Sequence, residues 1–250
     1  MLSTRESVDG SDPSDSTATA VDATGSWTFD DADELFLFVH GFSTDVAGAR
    51  DQAYTAALAL SAARSGDPPP VVGYGWASDV DWDEAKRTAD ANAAPLAEWL
   101  IDWADGDGDG RPVHVLGYSL GVRVVCETLR ALAERGRSDA VASLSLLGGA
   151  IPHTSVRADG RYGPAIAAMT GPVGNFHSAN DRVLGWVYRA SDRTRAVGHS
   201  GISGGGNAGD TPAGYADVDV TELVADHYSY FDPEKGCMPR VIERIDERIQ

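Results

Sequence analysis

Apolar and polar positions fall in blocks along this chain, and the lengths of the blocks predict its elements. Leu35-Phe36-Leu37-Phe38-Val39 is a continuous apolar run of strand length, the pattern of a strand buried on both faces. Further strand-like runs follow at residues 71–76, 113–116, 143–147, 173–177 and 217–220. Between them lie segments that read as helices: residues 46–64, 81–103, 120–135, 182–190 and an amphipathic 239–250. The first is stopped by Ser65-Gly66-Asp67 and three prolines, and the second opens with acids that suit the helix dipole. Such alternation implies an α/β fold, a mostly parallel central sheet with helices on both faces. Residues 151–172 form an excursion with room for a short helix, and 201–214 form a glycine-rich loop; both are expected to wall the site. Residues 27–250 read as a single domain. Residues 1–26, rich in Ser, Asp, Thr and Ala, read as a disordered lead-in with no signal-peptide pattern.

Charge changes the picture of the surface. The 250 residues carry 38 acids against 20 basic residues, a net charge of -18. Only Lys86 and Lys235 are lysines. This balance fits a strongly hydrated shell suited to high salt, where repulsion is screened within a few Å, and predicts a halophilic source of haloarchaeal type. It argues against nucleic acid or an anionic membrane as partner. No apolar run approaches the length of a membrane span, so no integral membrane association and a cytoplasmic location are expected. Cys126 and Cys237 have no metal-ligand spacing, and Cys126 is expected to be a buried thiol. Asp105-Gly106-Asp107-Gly108-Asp109-Gly110 resembles the start of a calcium loop, but its twelfth position is Leu116. It reads as a solvated acidic turn, and no metal or cofactor is expected.

The chemistry centres on Gly117-Tyr118-Ser119-Leu120-Gly121. By letters alone this Gly-x-Ser-x-Gly pattern is close to a chance match, and Gly201-Ile202-Ser203-Gly204-Gly205 repeats it. Context separates the two, because only Ser119 follows an apolar strand and precedes a helix, as a nucleophile elbow requires. A serine hydroxyl needs a base to take its proton and an acid to orient that base. In folds built on this elbow the acid and then the histidine follow the serine in the chain. Asp181, just beyond the strand at 173–177, is the candidate acid; capping the next helix is its competing role. Asp192, Asp217, Asp219 and Asp226 stand in reserve. His227, on a loop before the last helix, is the candidate base, with His199 as runner-up. His153 and His177 precede Asp181, and His114 lies inside the nucleophile strand. Oxyanion stabilisation calls for two backbone N–H groups, assigned to Phe42 and Leu120. Gly41 lets the first turn come close, and His40 braces it. Trp76 and Trp186 are candidates for a pocket wall, with core packing the ordinary role.

Together these residues resemble the α/β-hydrolase superfamily, nearest to an esterase/lipase-like family that includes transmembrane and coiled-coil domain proteins. The resemblance runs from about Leu35 to Phe231. It is carried by Phe38-Val39-His40-Gly41-Phe42, the Gly117–Val124 stretch, Leu146-Leu147-Gly148-Gly149-Ala150-Ile151-Pro152, the Asn175–Arg189 stretch, Val218-Asp219-Val220-Thr221 and His227-Tyr228-Ser229-Tyr230. It implies the α/β-hydrolase fold and a Ser119–Asp181–His227 triad. Two departures stand out: members often carry membrane-spanning helices, and Arg182 replaces a usual aromatic. The expected function is a serine hydrolase cleaving a small-molecule carboxylic ester through an acyl-enzyme on Ser119. The alternatives are an acyltransferase using the same triad and a non-catalytic hydrolase-fold binding module.

Overall fold

In the computed structural model, which describes residues 1–5, 21–25, 29, 32–202 and 210–247, strands and helices alternate as the apolar blocks predict. Two short strands, β1 (Leu2–Ser3) and β2 (Asp22–Ala23), precede β3 (Leu35–Val39), α1 (Val46–Ala63) and β4 (Val71–Gly75). Next come α2 (Trp82–Ala91), α3 (Ala93–Asp102), β5 (Val113–Tyr118), α4 (Gly121–Glu134) and β6 (Ser143–Leu147). The remainder holds α5 (Gly163–Ala168), β7 (Val173–His177), α6 (Arg189–Asp192), α7 (Val197–Ser200), β8 (Tyr215–Asp219) and α8 (Met238–Asp246).

The strands pair in the order β2-β1-β4-β3-β5-β6-β7-β8. Every pairing is parallel except the antiparallel β1–β2 edge. Side chains along β3 alternate between two cores, as the period of a strand dictates. Leu35, Leu37 and Val39 pack with residues of α2, α3, α4 and α5. Phe36 and Phe38 pack on the other face with Ala56, Ala59 and Leu60 of α1 and Val241, Ile242 and Ile245 of α8. Burying both faces explains why β3 has no polar position. Each of its Leu and Phe side chains contributes about 1.5–3 kcal/mol by leaving water. From β3 the chain builds outward to β4, and from β5 outward to β8 in the opposite direction. The strand order therefore reverses between β3 and β5. In open parallel sheets such a switch point opens a crevice at the carboxyl ends of the strands. A mostly parallel sheet in this order, with helices on both faces, is the α/β-hydrolase fold.

Three elements depart from the sequence expectation, each for a local reason. The helix expected over residues 81–103 is two helices joined at Asn92. Pro95 has no N–H for the Ala91 carbonyl, and its ring crowds that carbonyl. The buried Asn92 side chain holds the joint: it donates to Thr88 O at 2.8 Å, and its Oδ1 accepts from Tyr74 Oη at 2.9 Å and from Thr4. Residues 183–188 form a π-helical turn rather than an α-helix. The lead-in expected over residues 1–26 is structured at its described ends, where Leu2–Ser3 pairs with both β4 and Asp22–Ala23. Leu2 is fully buried, and the added strand covers an otherwise unpaired edge of β4. Residues 6–20 and 26 of that lead-in lie outside the described residues. In the acidic turn, Asp105 pairs with Arg137 at 2.9 Å and Asp109 with Arg111 at 3.7 Å. The short helix expected within residues 151–172 is α5. Both cysteines are free and buried.

Candidate active site

Ser119 follows β5 directly and has φ 53, in the left-handed region. That conformation costs a non-glycine residue about 1–3 kcal/mol and persists only where its surroundings enforce it. Here the Ser119 N–H donates to Leu147 O at 3.0 Å, and its carbonyl accepts from Ala150 N–H at 3.0 Å and Val122 N–H at 3.2 Å. The elbow is thus tied to the end of β6 on one side and to α4 on the other. Two glycines make it possible. A Cβ on Gly121 would sit 2.4 Å from Val39 O, and one on Gly41 would sit 2.8 Å from Ser119 Cβ. The first lets α4 start against β3; the second lets the turn after β3 lie beside the serine.

His227 Nε2 lies 2.9 Å from Ser119 Oγ, and His227 Nδ1 lies 2.6 Å from Asp181 Oδ2. With its proton on Nδ1, a neutral imidazole donates to Asp181 and accepts from the Ser119 hydroxyl. All three residues are buried, Asp181 completely. Asp181 also performs the role that competed with chemistry in the sequence. Its Oδ1 accepts from Leu184 N–H at 2.9 Å, capping the π-helical turn, while Oδ2 faces His227. The His227 loop is shaped by Asp226, whose Oδ1 accepts from Tyr228 N–H and Ser229 Oγ.

The reserve acids are occupied elsewhere. Asp192 accepts from Trp82 and Lys86, Asp217 from Asn175, Tyr215 and the Ile202 N–H, and Asp219 from Thr221. His199 sits on α7 beside Gly185. His153 Nδ1 lies 3.3 Å from Arg195 O, and His114 on β5 bridges Ser143 of β6 and Glu34, just before β3. His177 ends β7. Ser203, the second motif serine, lies outside the described residues.

Among the described residues, neither the Phe42 nor the Leu120 N–H has a partner within the protein, so both donors are free. Leu120 directly follows Ser119, and Phe42 directly follows Gly41, whose backbone abuts it. His40 is fully enclosed. Its Nδ1–H donates to Gly41 O at 2.9 Å, and Nε2 accepts from Trp76 N–H at 3.1 Å. Its ring stacks on Trp76 with centroids 5.6 Å apart. Burial pushes the His40 imidazole down to about 4, so it stays neutral near pH 7 and ties the loop after β3 to the end of β4.

A cleft of about 430 Å³ opens on Ser119 and His227, within the size range of small-molecule sites. Its walls depart from expectation. Phe42, Trp82, Leu184, Val187, Tyr188 and Tyr228 line it, and no residue of 151–172 does. Residues 203–209 of the glycine-rich loop lie outside the described residues. Trp76 is buried in the core and Trp186 is 77% exposed; the tryptophan of the cleft is Trp82. Arg182 is exposed and is not part of the wall. Two further residues brace the constellation and were not singled out from sequence. Tyr118 Oη donates to His227 O at 2.9 Å, and Tyr230 Oη lies 3.3 Å from Asp181 Oδ2 and 3.0 Å from Gly198 O. Both belong to motifs that carry Ser119 and His227, which is the only signal that pointed to them. For Trp82 there was none. Among the described residues, no three His, Cys, Asp or Glu side chains gather as a metal site.

Comparison with known proteins adds the following. A family model described as "Protein of unknown function (DUF726)" matches residues 42–246. A transmembrane and coiled-coil domain-containing protein, STS1, of Oryza sativa subsp. japonica is 36% identical over 168 residues, covering 67% of this chain and 23% of that protein. An uncharacterized membrane protein of Schizosaccharomyces pombe is 29% identical over 176 residues, covering 70% of this chain and 21% of that protein. The chain therefore spans less than a quarter of the length of these relatives. In this chain, among the described residues, no helix is long and apolar enough to cross a membrane. Among solved structures, a hyperthermophilic esterase from the archaeon Pyrobaculum calidifontis is 17% identical with a TM-score of 0.47, covering 86% of this chain and 77% of that one.

Proposed function

The chain belongs to the DUF726 family, and from that premise we propose that it is a serine hydrolase that cleaves a carboxylic ester through an acyl-enzyme on Ser119. The observation that carries this reading is the unbroken chain of contacts Ser119 Oγ–His227 Nε2, His227 Nδ1–Asp181 Oδ2 at the mouth of a cleft. As Ser119 Oγ attacks the ester carbonyl carbon, its proton passes to His227 Nε2. The carbonyl oxygen becomes an oxyanion and takes the free N–H groups of Phe42 and Leu120. The imidazolium that forms is stabilised by the Asp181 carboxylate. Collapse of the tetrahedral intermediate breaks the bond to the alkoxy oxygen, which leaves as the alcohol with the proton from Nε2. Water then attacks the acyl carbon, giving its proton to Nε2, and the bond to Ser119 Oγ breaks as that proton returns to the serine. No metal or cofactor enters any step.

The experiment is active-site labelling. A fluorophosphonate probe in molar salt should modify the wild-type protein and leave Ser119→Ala untouched. Hydrolysis of a labile ester should fall by about a millionfold in that variant. Equal labelling of the two proteins would overturn the enzyme reading and favour a hydrolase fold kept as a binding module.

A further inference from the structure

The cleft carries two sets of aromatic rings, and Ser119 abuts the first residue of one and the neighbour of the other. Tyr118, which precedes the serine, begins a set with His227 and Tyr228; its ring lies 5.3 Å from that of His227. Gly41, pressed against the serine, precedes Phe42. From Phe42 a second set runs edge to face through Trp82, 5.0 Å away, to Tyr188, a further 6.1 Å. No ring contact joins the two sets among the described residues.

Chemistry assigns a side to each. The leaving alcohol takes its proton from His227 Nε2, so it departs along the first set, where Tyr228 is 74% exposed. The acyl group stays bonded to Ser119 Oγ and takes the other wall. The cleft lining on that side is mainly apolar, with Ser43, Thr44, Gln52 and Ser191 as its polar members, and Trp82 is held in place. Trp82 packs against Ala150, Leu184 and Tyr188. Its indole N–H donates to Asp192 Oδ2 at 2.8 Å, while Lys86 Nζ donates to Asp192 Oδ1 at 3.0 Å and stands 5.5 Å over the Trp82 ring. Trp82 and Lys86 lie on α2 and Asp192 on α6, so this clasp ties two elements around the cleft. It also occupies the one polar group of the indole, leaving ring carbon to face a substrate.

Resting on the serine-hydrolase reading, we propose that the site takes esters of apolar acyl chains, and that Trp82, clasped by Asp192 and Lys86, determines the acyl length it accepts. Trp82 stands one ring beyond Phe42 on the acyl wall, between it and Tyr188, where its bulk limits the room for a longer chain. Asp192 is a positioning residue, acting through the indole.

The test is an acyl-length series of p-nitrophenyl esters, from acetate to palmitate, on wild type, Trp82→Ala, Trp82→Phe and Asp192→Asn. For the wild type, kcat/KM should climb roughly fourfold per methylene buried to a maximum, then fall. Trp82→Ala should move the maximum to longer chains, and Trp82→Phe should move it the same way by less. Asp192→Asn should make the fall beyond the maximum shallower. A maximum that stays in place in both Trp82 variants, while Ser119 still takes the fluorophosphonate, overturns this inference and leaves the hydrolase reading intact. An Asp192→Asn profile identical to wild type overturns the clasp. Wild-type protein that neither labels nor hydrolyses any ester sinks the hydrolase reading, and this inference falls with it.

Discussion

Asp181 divides its two oxygens between two tasks, and the division makes them separable. Oδ1 caps the turn at Leu184, and Oδ2 receives the His227 Nδ1–H. An Asn at this position can keep a carbonyl oxygen on Leu184 N–H, but its amide then faces Nδ1 with donors. The imidazole is driven to the tautomer with its proton on Nε2, which cannot accept from Ser119. Asp181→Asn should therefore retain the thermal midpoint to within a few degrees while ester hydrolysis falls by about 10⁴-fold. Asp192→Asn is the control, because Asp192 touches Trp82 and Lys86 and no histidine. A loss of that size in Asp192→Asn, with Asp181→Asn unaffected, would transfer the acid's role. At this scale the letters were informative: Ser119, Asp181 and His227 were each chosen by residue type and chain order. Tyr230 escaped because a buried tyrosine looks the same in sequence whether its hydroxyl meets a carboxylate or a backbone carbonyl.

Between elements, the joint at Asn92 does more than interrupt a helix. Its side chain links the α2–α3 break to Tyr74 on β4 and to Thr4, which follows β1. Asn92→Ala would remove the oxygen that the buried Tyr74 and Thr4 hydroxyls both donate to, leaving at most one of them a partner in the other. An unsatisfied buried polar group costs about 1–3 kcal/mol. The variant should lose about that much in urea unfolding, and amide exchange should rise first at Leu2 and Ser3. A loss spread evenly over the sheet would mean that Asn92 does not anchor the edge strands. Sequence periodicity ran through this joint because apolar spacing continues on either side of it. Pro95 was the local sign of a break, and only the packing of Asn92 fixed where the break falls. The π-helical turn at Val183–Tyr188 was hidden for a related reason, since its apolar residues are also compatible with an α-helix.

For the molecule as a whole, the net charge of -18 ties the expected stability of the fold to salt. Like charges repel over about 10 Å at 0.1 M salt and over about 3 Å at 1 M, so screening should relieve the compact state. The thermal midpoint should climb steadily as KCl is raised from dilute to molar, and activity should climb with it. A midpoint that is flat or falls with salt would refute the halophilic expectation. The sequence by itself determined the parallel α/β order, the two-faced burial of β3 and Ser119, Asp181 and His227 as first candidates in a workable chain order, with other acids and His199 still in reserve. Those follow from local periodicity and residue chemistry, which are written along the chain. Only the tertiary structure decided that the β1 edge joins the sheet, that Asp181 rather than a reserve acid meets His227, and that Trp82 rather than Trp76 or Trp186 walls the cleft. Each of these is a contact between residues far apart in sequence, fixed by how helices pack over a twisted sheet, and no local pattern encodes that distance.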